Sequence, residues 1–85
     1  MHWLYKKGNK MNIELLKEIV TGCSALTYDW NDGNGKLLID MQTANVMVQI
    51  YEALGEAMKE KFSNMIAKSK ISFIQTVEFC WKHVS

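Results

Sequence analysis

The amino-acid sequence predicts a single α+β domain in which a short helix and a β-hairpin are followed by three packed helices. Apolar residues recur at helical spacing before Gly22, alternate with polar residues around a glycine-rich turn, and return to helical spacing after Asp40. The chain has 85 residues, of which 48% are hydrophobic and 22% charged. This composition is typical of one domain that buries a core, and it excludes a disordered chain.

The first predicted helix begins after Asn12 and ends at Gly22. Asn12 is a favourable N-cap, and Glu14 stabilises the positive end of the helix dipole. Gly22 is a natural C-terminal stop. The predicted domain therefore spans residues 12–85.

Residues 1–11 are predicted to form a basic N-terminal arm. Lys6, Lys7 and Lys10 carry three of the ten lysine charges. An expression scar, or a natural start at Met11, stays open as another explanation of this segment.

A β-hairpin is predicted after the first helix. Leu26, Tyr28 and Trp30 alternate with polar residues, which is the period of a strand. Residues 31–35 (Asn-Asp-Gly-Asn-Gly) are turn-forming, and residues 36–39 form a second short apolar run. Because an isolated hairpin is only marginally stable in water, we expect it to pack on the helices.

Three further helices are predicted over residues 40–55, 56–67 and 71–84. The first of them has apolar residues over much of its circumference and is expected in the middle of the domain. In the second, Met58, Phe62, Met65 and Ile66 are expected to face the core. In the third, Phe79 lies off the inward stripe and is a candidate exposed aromatic residue.

The turn residues resemble the centre of an EF-hand calcium loop. Aligning Gly35 with the invariant glycine places Trp30 and Met41 at the first and last ligand positions, which require oxygen atoms. The sequence therefore favours a hairpin turn over a calcium site.

Zinc is also not predicted. Cys80 and His83 are three residues apart on a helix, but Cys23 and His2 form no second close pair. We predict no metal site and no cofactor.

Catalytic chemistry has one candidate constellation, formed by Asp29, Asp32 and Asp40 around the hairpin. Carboxylates at turns are more often solvated turn-forming groups than catalytic pairs. The sequence also lacks a nucleophile elbow and a phosphate-binding glycine loop. We therefore predict that the protein is not an enzyme and has no catalytic residues.

A lysine-rich helix face suggests a nucleic-acid-binding regulator as the alternative function. Its residues are Lys59, Lys61, Lys68 and Lys70. Against it, the net charge is only +1 and the chain has no arginine, the residue that recognises guanine and phosphate with two hydrogen bonds.

The aromatic residues divide into two predicted groups. The core group follows helical stripes and comprises Tyr51, Phe62, Phe73 and Trp81. The others lie before the first helix, in the hairpin or off the inward stripe, and aromatic residues of this kind anchor protein interfaces. The predicted partner-contact residues are Trp3, Tyr5, Tyr28, Trp30 and Phe79.

The compartment and assembly follow from the cysteines and the apolar runs. Two cysteines make no disulfide framework, no signal-peptide pattern is present, and no apolar run approaches the roughly 18 residues of a membrane span. We expect a soluble cytoplasmic protein with reduced thiols, either a monomer or a homodimer, without membrane contact.

Short segments between Leu38 and Val84 carry a resemblance to known proteins. They are Ile39-Asp40, Gln42-Thr43-Ala44-Asn45, Tyr51-Glu52-Ala53-Leu54, Lys61-Phe62, Met65-Ile66 and Phe79-Cys80-Trp81-Lys82-His83-Val84. This part of the chain resembles small uncharacterised accessory proteins of bacteria, phages and mobile elements. The resemblance implies a gene product that controls a host protein or defence system. We therefore expect a non-catalytic protein that binds a host or phage protein, such as an inhibitor of the anti-CRISPR kind.

Overall fold

A computed structural model describes residues 2–6 by their backbone and residues 10–84 with their side chains. The elements are β1 (His2–Lys6), α1 (Ile13–Thr21), β2 (Ser24–Asp29), β3 (Lys36–Ile39), α2 (Met41–Ala53), α3 (Glu56–Lys68) and α4 (Lys70–Val84). The predicted α+β class, with a helix, a hairpin and three helices in that order, is confirmed for the described chain.

Within the described residues, β2 is the central strand of a three-stranded sheet. β2 and β3 form the predicted antiparallel hairpin, in which Leu26 pairs with Ile39. In the turn between them, Asn31, Gly33 and Gly35 have φ angles of 57°, 86° and 80°. Left-handed backbone favours Asn and Gly, which explains why this run of residues reverses the chain.

The first strand, β1, is not predicted by the sequence pattern, which assigns residues 1–11 to an arm. Its backbone pairs in parallel with β2, from His2 opposite Ser24 to Lys6 opposite Tyr28. Parallel neighbours need a crossover connection, and α1 supplies it. Because the partner strand lies more than twenty residues further along the chain, local periodicity gives no signal for this pairing. The structure therefore corrects the arm interpretation over the five residues of β1.

Polar side chains cap three helices from the residue that precedes each helix. Asn12 Oδ1 accepts a hydrogen bond from the backbone N–H three residues further on, at 3.1 Å, and Asp40 Oδ1 does the same at 2.8 Å. Ser69, the single residue between α3 and α4, accepts an equivalent bond through its hydroxyl at 3.0 Å. Such caps satisfy N–H groups that have no partner inside the helix.

The core lies between the sheet and the helices. Its fully buried side chains include Leu16 of α1, Leu26 of β2, Met47 of α2, Ile66 of α3 and Phe73 of α4. Over the described residues, no helix is both long enough and apolar enough to cross a membrane.

Two residues that the helical spacing assigns to the core lie largely at the surface. Met58 is 47% exposed and Trp81 is 40% exposed. Cys80 keeps the inward position of α4, and one helical step turns Trp81 about 100° away from it. Met58 lies one turn before the buried Phe62, at the rim of a groove between α3 and α4.

Candidate protein-binding surface

Trp30 fixes the hairpin to the helices. Its indole Nε1 donates a hydrogen bond to the carbonyl oxygen of Ile66 at 2.9 Å. Its ring centroid lies 4.7 Å from that of Tyr28 and 5.1 Å from that of Phe73, which are ordinary distances for packed aromatic pairs. Trp30 is therefore half-buried and serves the packing of the hairpin.

Tyr28 is buried, with only 3% of its surface exposed, so the expectation that it lies partly outside the core is wrong. It lies on the same strand face as Leu26, because side chains two apart share a face. Desolvation raises the pKa of the Tyr28 hydroxyl above its ordinary value. Trp3 and Tyr5 are the two predicted contact residues in the N-terminal segment. Their side chains lie outside the described residues.

The hairpin turn is held against the start of α4 by reciprocal hydrogen bonds. Asp32 Oδ2 accepts from the backbone N–H of Lys70 at 2.9 Å, and its Oδ1 accepts from that of Asn34 at 3.0 Å. Lys70 Nζ donates to the carbonyl oxygens of Asn34 and Lys36, both at 3.0 Å. These bonds, together with that from Trp30 to Ile66, are called the hairpin junction below.

The three aspartates of the candidate catalytic cluster have separate structural roles. Asp29 Oδ1 accepts from the N–H of Asn31 at 2.8 Å, and Asp32 belongs to the hairpin junction. Lys36 pairs with Asp29 beside the turn, and β3 then runs away from the turn, so Asp40 lies at the far end of the hairpin. The structure therefore does not bring all three carboxylates together, because Asp40 lies away from the other two.

The cysteine and histidine side chains that the structure describes have different surroundings. Cys80 is fully buried, and burial raises the pKa of its thiol to about 11. His83 is exposed, with Nδ1 3.2 Å from the carbonyl oxygen of Phe79, and Cys23 lies exposed between α1 and β2. Among the described residues, no group of three or more His, Cys, Asp or Glu side chains could hold a metal ion.

The predicted lysine face does not form one surface. Lys70 is bound to the hairpin turn, and Lys59 is partly buried with its Nζ 4.0 Å from the carboxylate of Glu52. Lys61 and Lys68 are exposed, and within the described chain neither has a carboxylate within 4 Å. Two of the four lysines thus remain available for a partner.

An apolar groove of about 290 Å³ lies between α3 and α4, beside Leu54, the residue that follows α2. The residues that line it are Leu54, Met58, Lys61, Phe62, Met65, Thr76 and Phe79. Phe62 and Thr76 are buried, and the Thr76 hydroxyl donates to the carbonyl of Ser72 at 2.9 Å, so its polar atom is satisfied. We call this surface the α3–α4 groove.

Two large apolar residues of the α3–α4 groove are exposed, Met58 at 47% and Phe79 at 41%. The prediction that Phe79 lies outside the core is confirmed. Helical spacing places Met58 and Met65 on an inward stripe, so the spacing alone does not identify them as groove residues. The signal that reveals them is Lys61, a charged residue between them on the same stripe.

Comparisons of the chain with protein-family models, with curated proteins and with solved structures found no match.

Proposed function

We propose that the protein acts by binding another protein through the α3–α4 groove, without catalysing a reaction. The observation that carries this proposal is the exposure of Met58 and Phe79 beside an apolar groove. Exposed apolar surface that is contiguous and concave is typical of interaction sites. Methionine side chains are flexible and polarisable, so they adapt to a partner's surface.

The aspartates and lysines that suggest catalysis or nucleic-acid binding make contacts within the fold instead. Asp32 and Lys70 hold the hairpin against α4, and Asp40 caps α2. Lys59 lies near Glu52. This use of the charged residues supports a binding function over a nucleic-acid-binding regulator that depends on Lys59 and Lys70.

The biological setting belongs to the same proposal. The resemblance of Leu38 to Val84 to accessory proteins of phages and mobile elements supports an inhibitor or modulator of a host protein or defence system, of the anti-CRISPR kind. Cys23 and Cys80 are both free, which suits the reducing cytoplasm of a bacterial host.

Affinity purification with groove variants tests the proposal. Tagged wild type, Met58→Glu and Phe79→Glu are used to capture proteins from bacterial lysate, with circular dichroism as a check that each is folded. Ile71→Glu is the matched control, because Ile71 is 51% exposed but does not line the groove. We expect a protein that is retained by wild type and by Ile71→Glu but lost from both groove variants.

Retention of the same protein by Met58→Glu and Phe79→Glu would place the contact elsewhere and contradict the proposal. So would a lysate in which wild type enriches no protein. A gel shift with duplex DNA that weakens steeply with salt and depends on Lys61 and Lys68 would favour the nucleic-acid alternative.

A further inference from the structure

We infer that the occupant of the α3–α4 groove is an amphipathic helix of the partner protein that carries two acidic residues seven positions apart. This inference rests on the proposed function and specifies the chemistry of the partner. It begins from one stripe of α3 formed by Met58, Lys61, Met65 and Lys68. Their intervals of three, four and three residues place them on the same helical face.

Along this stripe, methionine and lysine alternate. Met58, Lys61 and Met65 line the groove, and Lys68 continues the stripe one turn beyond Met65. Lys61 and Lys68 are seven residues apart, which is about 10 Å along the helix. A partner that fills the groove therefore meets two positive charges along its edge at that spacing.

The charge of this edge is not neutralised within the described residues. Lys61 and Lys68 have no carboxylate within 4 Å, whereas Lys17 lies 3.4 Å from Glu52. Glu60 and Glu78 each lie next to a groove residue in sequence, but one helical step turns them about 100° away from it. The groove thus presents an apolar floor with an exposed cationic edge.

A helix matches this surface better than a small molecule. The volume of about 290 Å³ is at the lower limit of the roughly 300–1,000 Å³ range of small-molecule sites. A docked helix buries apolar side chains three, four and seven residues apart in such a groove. Acidic residues seven apart on its flank would meet both lysines, because the two helices have the same rise per residue.

A membrane and a second copy of this chain fit less well. The apolar surface is recessed between two helices, whereas insertion into a lipid surface requires apolar side chains that protrude. No two Asp or Glu side chains of this sequence are seven residues apart, so no helix of a second copy presents the proposed acidic pair. The charge pattern therefore favours a different protein as the partner.

Two synthetic peptides test the inference against the full chain. Both are amphipathic helices with leucine at positions one, four, eight and eleven. One carries glutamate at two flanking positions seven apart, and the other carries lysine there. Binding is followed by the methyl NMR signals of Met58 and Met65 in protein with ¹³C-labelled methionine methyl groups.

We expect the glutamate peptide to shift both methyl signals and to bind about tenfold more tightly than the lysine peptide at low salt. In the double variant Lys61→Glu/Lys68→Glu the preference should reverse, which a merely structural role of these lysines would not produce. Lys10→Glu is the control for a charge reversal outside the groove, because Lys10 is exposed and lies before α1. It should leave the preference unchanged.

Equal affinity for both peptides would overturn the inference that the partner helix carries two acidic residues. It would leave the proposed protein-binding function intact. Absence of shifts with either peptide would also overturn the inference, and the capture experiment with Met58→Glu would then decide the proposed function separately. Stronger shifts with phosphatidylglycerol vesicles or duplex DNA would assign the surface to another class of partner. Concentration-dependent shifts accompanied by dimer sedimentation would assign it to self-association.

Discussion

The hairpin junction and the α3–α4 groove use the same two helices in opposite ways. At the hairpin junction, Trp30, Asp32 and Lys70 form directed hydrogen bonds with backbone groups. In the groove, Met58 and Phe79 leave apolar surface exposed. The hydroxyl of Thr76 on the groove floor already donates a hydrogen bond to the carbonyl of Ser72. We therefore expect the residues of the hairpin junction to contribute to the stability of the fold, and Met58 and Phe79 to contribute little to it.

Replacement of Trp30 should have the largest effect on stability. Trp30→Ala removes the packing against Tyr28 and Phe73 and the hydrogen bond to Ile66. We expect the free energy of unfolding to fall by about 3 kcal/mol, measured by urea denaturation. Trp30→Phe keeps most of the packing and loses the hydrogen bond, so its loss should be about 1 kcal/mol. If both variants unfold like wild type, Trp30 does not hold the hairpin junction.

Replacement of Lys70 should have a smaller effect. Lys70→Met keeps the length of the side chain but removes the two bonds from Nζ to the carbonyls of Asn34 and Lys36. Because these bonds are solvent-exposed, we expect a loss of about 0.5–1 kcal/mol in the same urea assay. Amide exchange should increase in the hairpin turn and stay unchanged in α2. An increase spread evenly over the molecule would contradict a local role.

Acid should weaken the hairpin junction through Asp32. The backbone N–H groups of Lys70 and Asn34 lower the pKa of the Asp32 carboxyl below its ordinary value, because they bind its charged form. The resulting stabilisation is full above the ordinary aspartate pKa and is lost as the pH falls through the lower folded-state pKa. Asp32→Asn should therefore be less stable than wild type at neutral pH, and the difference should shrink in acid. Urea midpoints measured across this pH range check the sign, and a constant difference would contradict it.

The hairpin junction could be predicted from the sequence in part, because its turn is local. The run from Asn31 to Gly35 specifies the reversal, and the preference of Asp32 for a turn-forming role over catalysis agrees with its bonds. The partner of that turn, Lys70, could not be predicted, since the contact joins residues 38 positions apart. The same reason applies to β1, whose strand partner lies across α1.

The groove was harder to predict because helical spacing identifies a face but not what covers it. Met58 and Phe62 share an apolar stripe, yet only Phe62 is buried, and its ring packs on Tyr51 of α2. Tyr28 shows the converse case. An aromatic residue in the hairpin suggests an interface anchor, whereas the alternation with Leu26 already places Tyr28 on the buried face of β2.

The smallest effect on stability is expected in the groove, where the effect on binding should be largest. Met58 is the third residue of α3, and a glutamate there interacts favourably with the helix dipole, which offsets the loss of partly buried apolar surface. Met58→Glu should therefore change the free energy of unfolding by no more than about 0.5 kcal/mol. It should nevertheless weaken binding of the captured partner at least tenfold by titration calorimetry, because it places a carboxylate in apolar surface that the partner would desolvate. A variant that is destabilised by as much as Trp30→Ala would mean that Met58 belongs to the core, and the contrast between the two regions would then be wrong.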